Sequence, residues 1–405
     1  MVAAYAPLPE VLSQRQALGF VVKVAERCNI ACSYCYFFFH GDQTYREHPA
    51  YISEATCDGF VDYVAETAST LGLKTVTVGL HGGEPLMAPK ARIDEFCRKL
   101  RELPQRTALE TVSITLQSNG MLIDQEWIEI FRRHRVAVGI SLDGPKEKND
   151  RARIDKRGRG TYDRTISGYQ RLVGAAHRGE AALPGLLGVM DPELSGRDVA
   201  RHFVEELKCR HLNFLTPDIH FDDPIATAKY IDGVGRFMIE VFRYWVELDD
   251  PEVSIRFIDE ISNCLQSDDF ARQARSDARE YRHLFTISSN GDIGPEDTIK
   301  TVAPRFRGDE FNISRSTIAD VLGSSPWEEI GRARFQPPER CKTCEWWGVC
   351  RGGSITNRYS EARGFDNPSV FCSALQAFYG EVAAWLVESG VNIERILDRL
   401  HAAHD

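Results

Sequence analysis

Six apolar, β-branched runs, at residues 19–25, 75–80, 113–116, 136–142, 183–190 and 212–215, alternate with segments of helical spacing at 54–70, 91–102, 125–134, 165–177 and 196–208. Such alternation reads as a βα unit repeated six times and implies a parallel sheet, because parallel neighbours need a crossover long enough to hold a helix. Right-handed crossovers curl a sheet of this kind towards a barrel, and six units make a partial (β/α)6 TIM barrel rather than a closed eight-stranded one. The expected fold class is therefore α/β, with the partial barrel spanning 1–223. Residues 224–284 turn helical and polar without a strand of convincing length and are expected to act as a linker. Residues 285–405 then form a small α+β domain with C-terminal helices, opening on a hairpin in which Asn290-Gly291 supplies the tight turn.

Charge and cysteine usage narrow the function. A formal net charge of -10 lacks the basic excess that a phosphate-binding surface needs, which argues against nucleic acid and against an anionic membrane. The absence of a long apolar run and of a signal-peptide pattern leads to an expected cytoplasmic location. In that compartment 11 cysteines point to metal rather than disulfides.

Cys28, Cys32 and Cys35 form a CxxxCxxC run directly after the first apolar strand. Three thiolates hold three corners of a 4Fe–4S cube and leave one iron open for chemistry, whereas structural zinc, the alternative, usually shows paired CxxC knuckles. Three more motifs follow later strands: His81-Gly82-Gly83-Glu84-Pro85, Gln117-Ser118-Asn119-Gly120 and Ser141-Leu142-Asp143-Gly144-Pro145. All four fall at carboxyl ends of strands, the face on which βα barrels build their sites. Gly82 and Gly83 let backbone approach a ligand closely and Glu84 adds a carboxylate, or the segment is a plain turn. Ser118, Asn119, Ser141 and Asp143 are hydrogen-bonding groups or local caps, and Arg153 is a ligand-facing cation or a solvated loop charge.

These four ordered motifs resemble the radical S-adenosylmethionine (SAM) superfamily, with Tyr34 as the aromatic of its CxxxCx(aromatic)C signature. The resemblance implies a 4Fe–4S cluster on Cys28, Cys32 and Cys35 that binds SAM. It implies that Gly82, Gly83 and Glu84 meet the methionyl amino group, that Ser118, Asn119, Ser141 and Asp143 meet ribose and carboxylate, and that Arg153 meets the carboxylate. It also implies an external electron donor of flavodoxin or ferredoxin type and a 5′-deoxyadenosyl radical that abstracts hydrogen from substrate. The C-terminal set Cys341-x2-Cys344-x5-Cys350 with Cys372 resembles the SPASM module of peptide-modifying relatives, among them anaerobic sulfatase-maturating enzymes, and matches the ligands of its outer auxiliary cluster; zinc is the alternative for four cysteines. Where the full module has Cys-Asp after the hairpin and a further Cys downstream, this chain has Glu296-Asp297 and Ser354, so the inner auxiliary cluster is expected to be absent and one auxiliary 4Fe–4S cluster to remain. Asp297 matches the substrate-facing aspartate of sulfatase-maturating relatives and is the candidate base, or else a turn-stabilising carboxylate. Cys57, Cys97, Cys209 and Cys264 lack ligand spacing and read as buried small residues.

The segment from Gly352-Gly353 through Arg358-Tyr359 to Phe365-Asp366-Asn367-Pro368-Ser369 resembles cyclophane-forming maturases of ribosomal peptides. It implies oxidation or crosslinking of a peptide side chain, and the missing inner-cluster ligands weaken sulfatase maturation itself. The other readings are a radical SAM enzyme acting on a sugar, nucleoside or amino acid, with sulfur insertion or dehydrogenation at the auxiliary cluster, and a cluster-bearing sensor that binds SAM without cleaving it. Some twenty residues precede the first strand, few for a leader-recognition domain, so a separate leader-recognition protein is an expected partner.

Overall fold

The computed structural model describes residues 17–39, 41–267 and 284–401, and the stretch 268–283 of the expected linker lies outside them. The chain forms two compact units. The first takes in the described residues of 1–140, 152–184 and 280–330, and the second those of 141–151, 185–279 and 331–405.

In the first unit, β1 (Ala17–Ala25), β3 (Thr75–Gly82), β4 (Thr111–Ser118) and β5 (Ala137–Ser141) pair in parallel in that order. One face of these strands buries their apolar residues: Phe20, Val22 and Val24 on β1, Val76, Val78 and Leu80 on β3, while the alternate residues of β3 are half-buried or exposed. Helices Glu54–Leu71, Lys90–Arg106 and Gln125–His134 supply the covering layer, so that Phe20 meets Phe60 edge-on at 5.3 Å and Phe60 meets Phe96 at 5.8 Å. Polar caps start two of them, Ser53 Oγ accepting from Thr56 N and Asp124 Oδ1 from Trp127 N.

The open edge of β1 is covered from far along the chain. The strand β10 (Leu284–Ile287) lies parallel to β1 with Phe20 opposite Phe285, and turns back through β11 (Ile293–Gly294). The expected hairpin is thus present, with Gly291 alone taking the left-handed conformation at φ 92° while Asn290 stays outside it. A second small pairing joins β2 (Ile30–Cys32) to β6 (Arg153–Asp155) in antiparallel register.

In the second unit, β7 (Gly185–Val189), β8 (His211–Leu215) and the two-residue β9 (Ser254–Ile255) are parallel. The expected helix 196–208 ends early: α-helix Gly196–Arg201 gives way to a π-turn at His202–Glu206, and Lys208 takes φ 55°. Helix Ala228–Leu248, expected to be a polar linker, buries Val234, Phe237, Met238, Val241 and Phe242. It packs on helix Cys372–Glu388 through Phe242 and Phe378 at 6.0 Å and Trp245 and Trp385 at 5.3 Å. The α/β class with a mostly parallel sheet is the fold of the chain, and no helix of the described residues is long and apolar enough to cross a membrane.

Candidate functional site

The Cys28–Cys35 loop is built by backbone contacts from three neighbouring segments of the first unit. Cys35 N donates to Cys32 O at 3.1 Å and Ser33 N to Ala152 O at 3.1 Å, and β2 brings Cys32 opposite Arg153. From the β3 side, Gly83 N donates to Ala25 O at 2.8 Å and Glu84 N to Arg27 O at 2.9 Å. The two glycines make this approach possible. A Cβ on Gly82, where φ is 133°, would fall 2.0 Å from Ala25 O, and one on Gly83 would fall 2.5 Å from Arg27 O. The close neighbour of Gly82-Gly83 is thus the cysteine loop's own backbone.

Glu84 is 1% exposed and locks the motifs together. It accepts from Leu86 N at 3.0 Å, Ser118 Oγ at 2.8 Å and Asn119 N at 2.8 Å. Burial pushes its carboxyl upward against those donors. Asn119 Nδ2 donates to Asn29 Oδ1 at 2.7 Å and lies 4.0 Å from Cys28 Sγ, which also receives Ile30 N at 3.5 Å. Arg153, 6% exposed and so no solvated loop charge, donates to Tyr34 OH at 2.8 Å. Ser141 and Asp143 belong to the second unit, where Asp143 Oδ1 accepts from Val189 N at 3.4 Å.

The donor set suits an iron–sulfur core. Burial pushes the Cys28 thiol up to about 12, with Glu84, Cys32 and Cys35 adding to the rise; Cys28 is buried, and Cys32 and Cys35 are half-buried. Backbone N–H groups of Phe37 and Phe38 act on the Cys35 sulfur, the kind of contact that tunes such clusters. Neutral thiols of this kind give up protons as metal binds.

Asp297 lies beside this loop in the same unit. It receives hydrogen bonds from Lys23 Nζ and from the hydroxyl of Tyr36, the residue after Cys35. Lys23 also donates to His81 Nδ1 at 3.0 Å, its register partner across the β1–β3 pair. Burial works to raise the Asp297 carboxyl, and the Lys23 charge with the hydrogen bonds from Lys23 and Tyr36 outweighs it and holds the group below the usual carboxylate range. Burial and the Lys23 charge push His81 down to about 4, so its ring is neutral at physiological pH. Beneath the hairpin, Glu26, Asp42, Asp297, Lys23 and Lys300 enclose a cavity of about 10 Å³, room for roughly one water. Lys300 is 6% exposed, donates to Ser288 Oγ at 3.4 Å, and is pushed down by burial. Sequence reasoning reached Asp297, quoted His81 within its motif without a role, and missed Lys23, Glu26 and Lys300. The available signal was a lysine inside an apolar strand and a glutamate directly after it, since buried charges persist only when paired.

The second unit groups Cys341, Cys344, Cys350 and Cys372. Cys344 N donates to Cys341 O at 3.2 Å and Cys372 opens its helix. Burial raises Cys341, Cys350 and Cys372, Cys350 to about 11, and each is raised further by another member of the set. Tyr379 hydrogen-bonds Cys350, and Gln376 Nε2 reaches Cys344 Sγ at 3.7 Å. Four soft donors in one part of the second unit are the ligand type of a closed cluster, although among the described residues no three His, Cys, Asp or Glu side chains are drawn together as a metal-holding group. Cys57, Cys97 and Cys209 are buried and Cys264 is half-buried.

Comparison with known proteins gives a consistent picture. Residues 22–195 match the radical SAM superfamily. A serine-type anaerobic sulfatase-maturating enzyme of Klebsiella aerogenes is 31% identical over 339 residues, covering 82% of this chain and 77% of the relative. The serine-type enzyme of Bacteroides thetaiotaomicron is 26% identical over 388 residues, covering 90% and 89%. A solved structure of native anSMEcpe with bound AdoMet and Cp18Cys peptide shares the fold, with TM-score 0.73 at 22% identity over 92% of this chain and 98% of that one. The chain is therefore a radical SAM enzyme, working with SAM and 4Fe–4S chemistry, and belongs to the family of the anaerobic sulfatase-maturating enzymes.

Proposed function

We propose that this enzyme oxidises a side chain of a ribosomally made peptide and closes a crosslink there. Residues 1–223 serve as the SAM-binding barrel, 224–284 as a connector and 285–405 as the auxiliary-cluster domain. Cys28, Cys32 and Cys35 hold the SAM-binding cluster, and Cys341, Cys344, Cys350 and Cys372 hold one auxiliary cluster. A 4Fe–4S cluster on Cys28, Cys32 and Cys35 would supply the electron for reductive cleavage of SAM and so the means of hydrogen abstraction from substrate. Glu84, Ser118 and Asn119 fix the loop that positions SAM, and the buried Arg153 meets its carboxylate. Asp297, ionised and one hydrogen bond from the residue after Cys35, takes the substrate proton, and an oxidised auxiliary cluster on Cys341, Cys344, Cys350 and Cys372 would accept the one electron left on the substrate radical. An external flavodoxin- or ferredoxin-type donor supplies electrons, and a separate protein recruits the peptide leader.

The observation that carries this reading is the pairing of a three-thiol loop with an ionised carboxylate beside it. A single auxiliary cluster is supported by the donors under the hairpin: the space there is lined by Lys300, Ser288 and Asp297, nitrogen and oxygen groups in place of the soft thiolates an iron–sulfur core prefers. The relatives' names describe maturation of a sulfatase, so a peptide or protein substrate agrees with family membership. The test is anaerobic turnover of the reconstituted enzyme with SAM, reductant and short cysteine-, serine- and aromatic-containing precursor peptides. The expected result is 5′-deoxyadenosine together with a peptide lighter by about 2 Da that does not react with a hydrazide. A hydrazide-reactive product would replace crosslinking by sulfatase-type oxidation, and SAM cleavage coupled only to a small molecule would reject a peptide substrate.

A further inference from the structure

Arg358 is a buried cation in the second unit, 2% exposed, whose hydrogen bonds all go to neutral carbonyls. Nε donates to Asn367 O at 3.2 Å, Nη1 to Ala333 O at 2.6 Å and Nη2 to Phe365 O at 2.9 Å. These dipoles satisfy the N–H groups and leave the net charge uncancelled, an arrangement that is costly in a protein interior unless an anion lies close by. Asp366, the carboxylate nearest in sequence, supplies only a minor share, ranking after Cys341 and Cys350: its side chain is 53% exposed and pairs with Arg363 at 2.9 Å.

The negative groups acting most strongly on the guanidinium are Cys341 and Cys350. The local backbone explains why. Cys350 is followed by Arg351 and Gly352, both at positive φ, and a Cβ on Gly352 would fall 2.9 Å from Arg358 Cδ, so the arginine stem packs against the turn that leaves Cys350. Its other side holds the carbonyls of 365 and 367, on the approach to Cys372. As neutral thiols the four cysteines offer no compensating charge. As thiolates on an iron–sulfur core they carry a net negative charge, larger by one after reduction.

We propose that the Arg358 guanidinium is the counter-charge of the iron–sulfur cluster held by Cys341, Cys344, Cys350 and Cys372, and that its charge raises the reduction potential of that cluster. Arg358 is then a tuning residue that touches neither SAM nor peptide. The inference rests on the assignment of those four cysteines to an auxiliary cluster.

The experiment compares full-length wild type, Arg358→Gln and Arg358→Lys after anaerobic reconstitution. Iron and sulfide are counted, and a redox titration follows the electron paramagnetic resonance signal that SAM addition leaves unchanged. In Arg358→Gln the equilibrium constant for one-electron reduction should fall roughly tenfold, which is 59 mV. Arg358→Lys, which keeps the charge and loses the fork of hydrogen bonds, should stay within about twofold of wild type. Absence of a second cluster in wild type would remove the assignment on which the inference rests. A wild type with two clusters and an Arg358→Gln potential that does not move would overturn the inference alone. If the Gln variant fails to hold its cluster, the Lys variant decides: a retained potential supports the counter-charge, and a tenfold fall shows that hydrogen-bond geometry sets the potential.

Discussion

Lys23→Met tests whether the ion pair under the hairpin organises the site. Lys23 and Asp297 are 2% and 11% exposed at their side chains, so their attraction is weakly screened. At contact distance and an effective dielectric near 20 a unit pair is worth about 4 kcal/mol before desolvation, and removal of one partner from a buried pair costs about 3–5 kcal/mol because the other charge is left alone. Lys23→Met should lower stability by that amount at neutral pH. The double variant Lys23→Met/Asp297→Asn should recover most of it, since no charge is then stranded. In wild type the folded Asp297 carboxyl lies below its unfolded value, so its contribution is full above roughly pH 4 and is lost as pH falls through the folded value. Without Lys23, burial raises the carboxyl instead, and the deficit of the variant should shrink as pH drops from 7.5 towards 5. Urea unfolding of the metal-free chains, followed by tryptophan fluorescence at several pH values, measures all of this. A single-variant cost under about 1 kcal/mol, or a double variant no more stable than Lys23→Met, would refute the reasoning.

Cys32→Ala should abolish 5′-deoxyadenosine formation, whereas Cys350→Ala should leave some SAM cleavage and lose peptide turnover; chromatography of both products separates the two sites, and equal loss would merge them. Iron and acid-labile sulfide should each reach about eight per reconstituted chain, with about twelve showing that Glu296 and Ser354 still permit an inner cluster. Gly83→Ala should displace the cysteine loop, since its Cβ would meet Arg27 O at 2.5 Å, and should cut iron retention and SAM cleavage together while leaving the tail cluster in place. Asp297→Asn should retain SAM cleavage and reduce peptide turnover by about 10²–10⁴-fold, and undiminished turnover would remove it as the base.

The parts of this molecule legible in its sequence are those in which local pattern and burial agree. The helix at Gln125–His134 has the bounds its spacing predicts, and the strands at 75 and 212 start within a residue of theirs, because apolar residues recurring at the helical or the strand period leave no competing assignment. The pairing of β10 with β1 was illegible for a topological reason. Four residues, Leu284–Ile287, carry too little periodicity to name a partner more than 250 positions away, and what selects β1 is the exposed edge that the βα order leaves there. The motif glycines show a different limit. Their lack of side chains was read as room for a ligand, yet the same absence equally admits a second backbone, and only the register of Ala25 against Gly82 decides between them. Lys23 extends the point to chemistry. A lysine within Val21-Val22-Lys23-Val24 breaks the apolar pattern of its strand, a local conflict that marks a charge network but is submerged in a run that reads as apolar. Glu26 on the same segment accepts from Ser289 N of the distant hairpin at 3.0 Å, so the two charges that violate the strand pattern are the ones that bind β1 to the residues around Asp297.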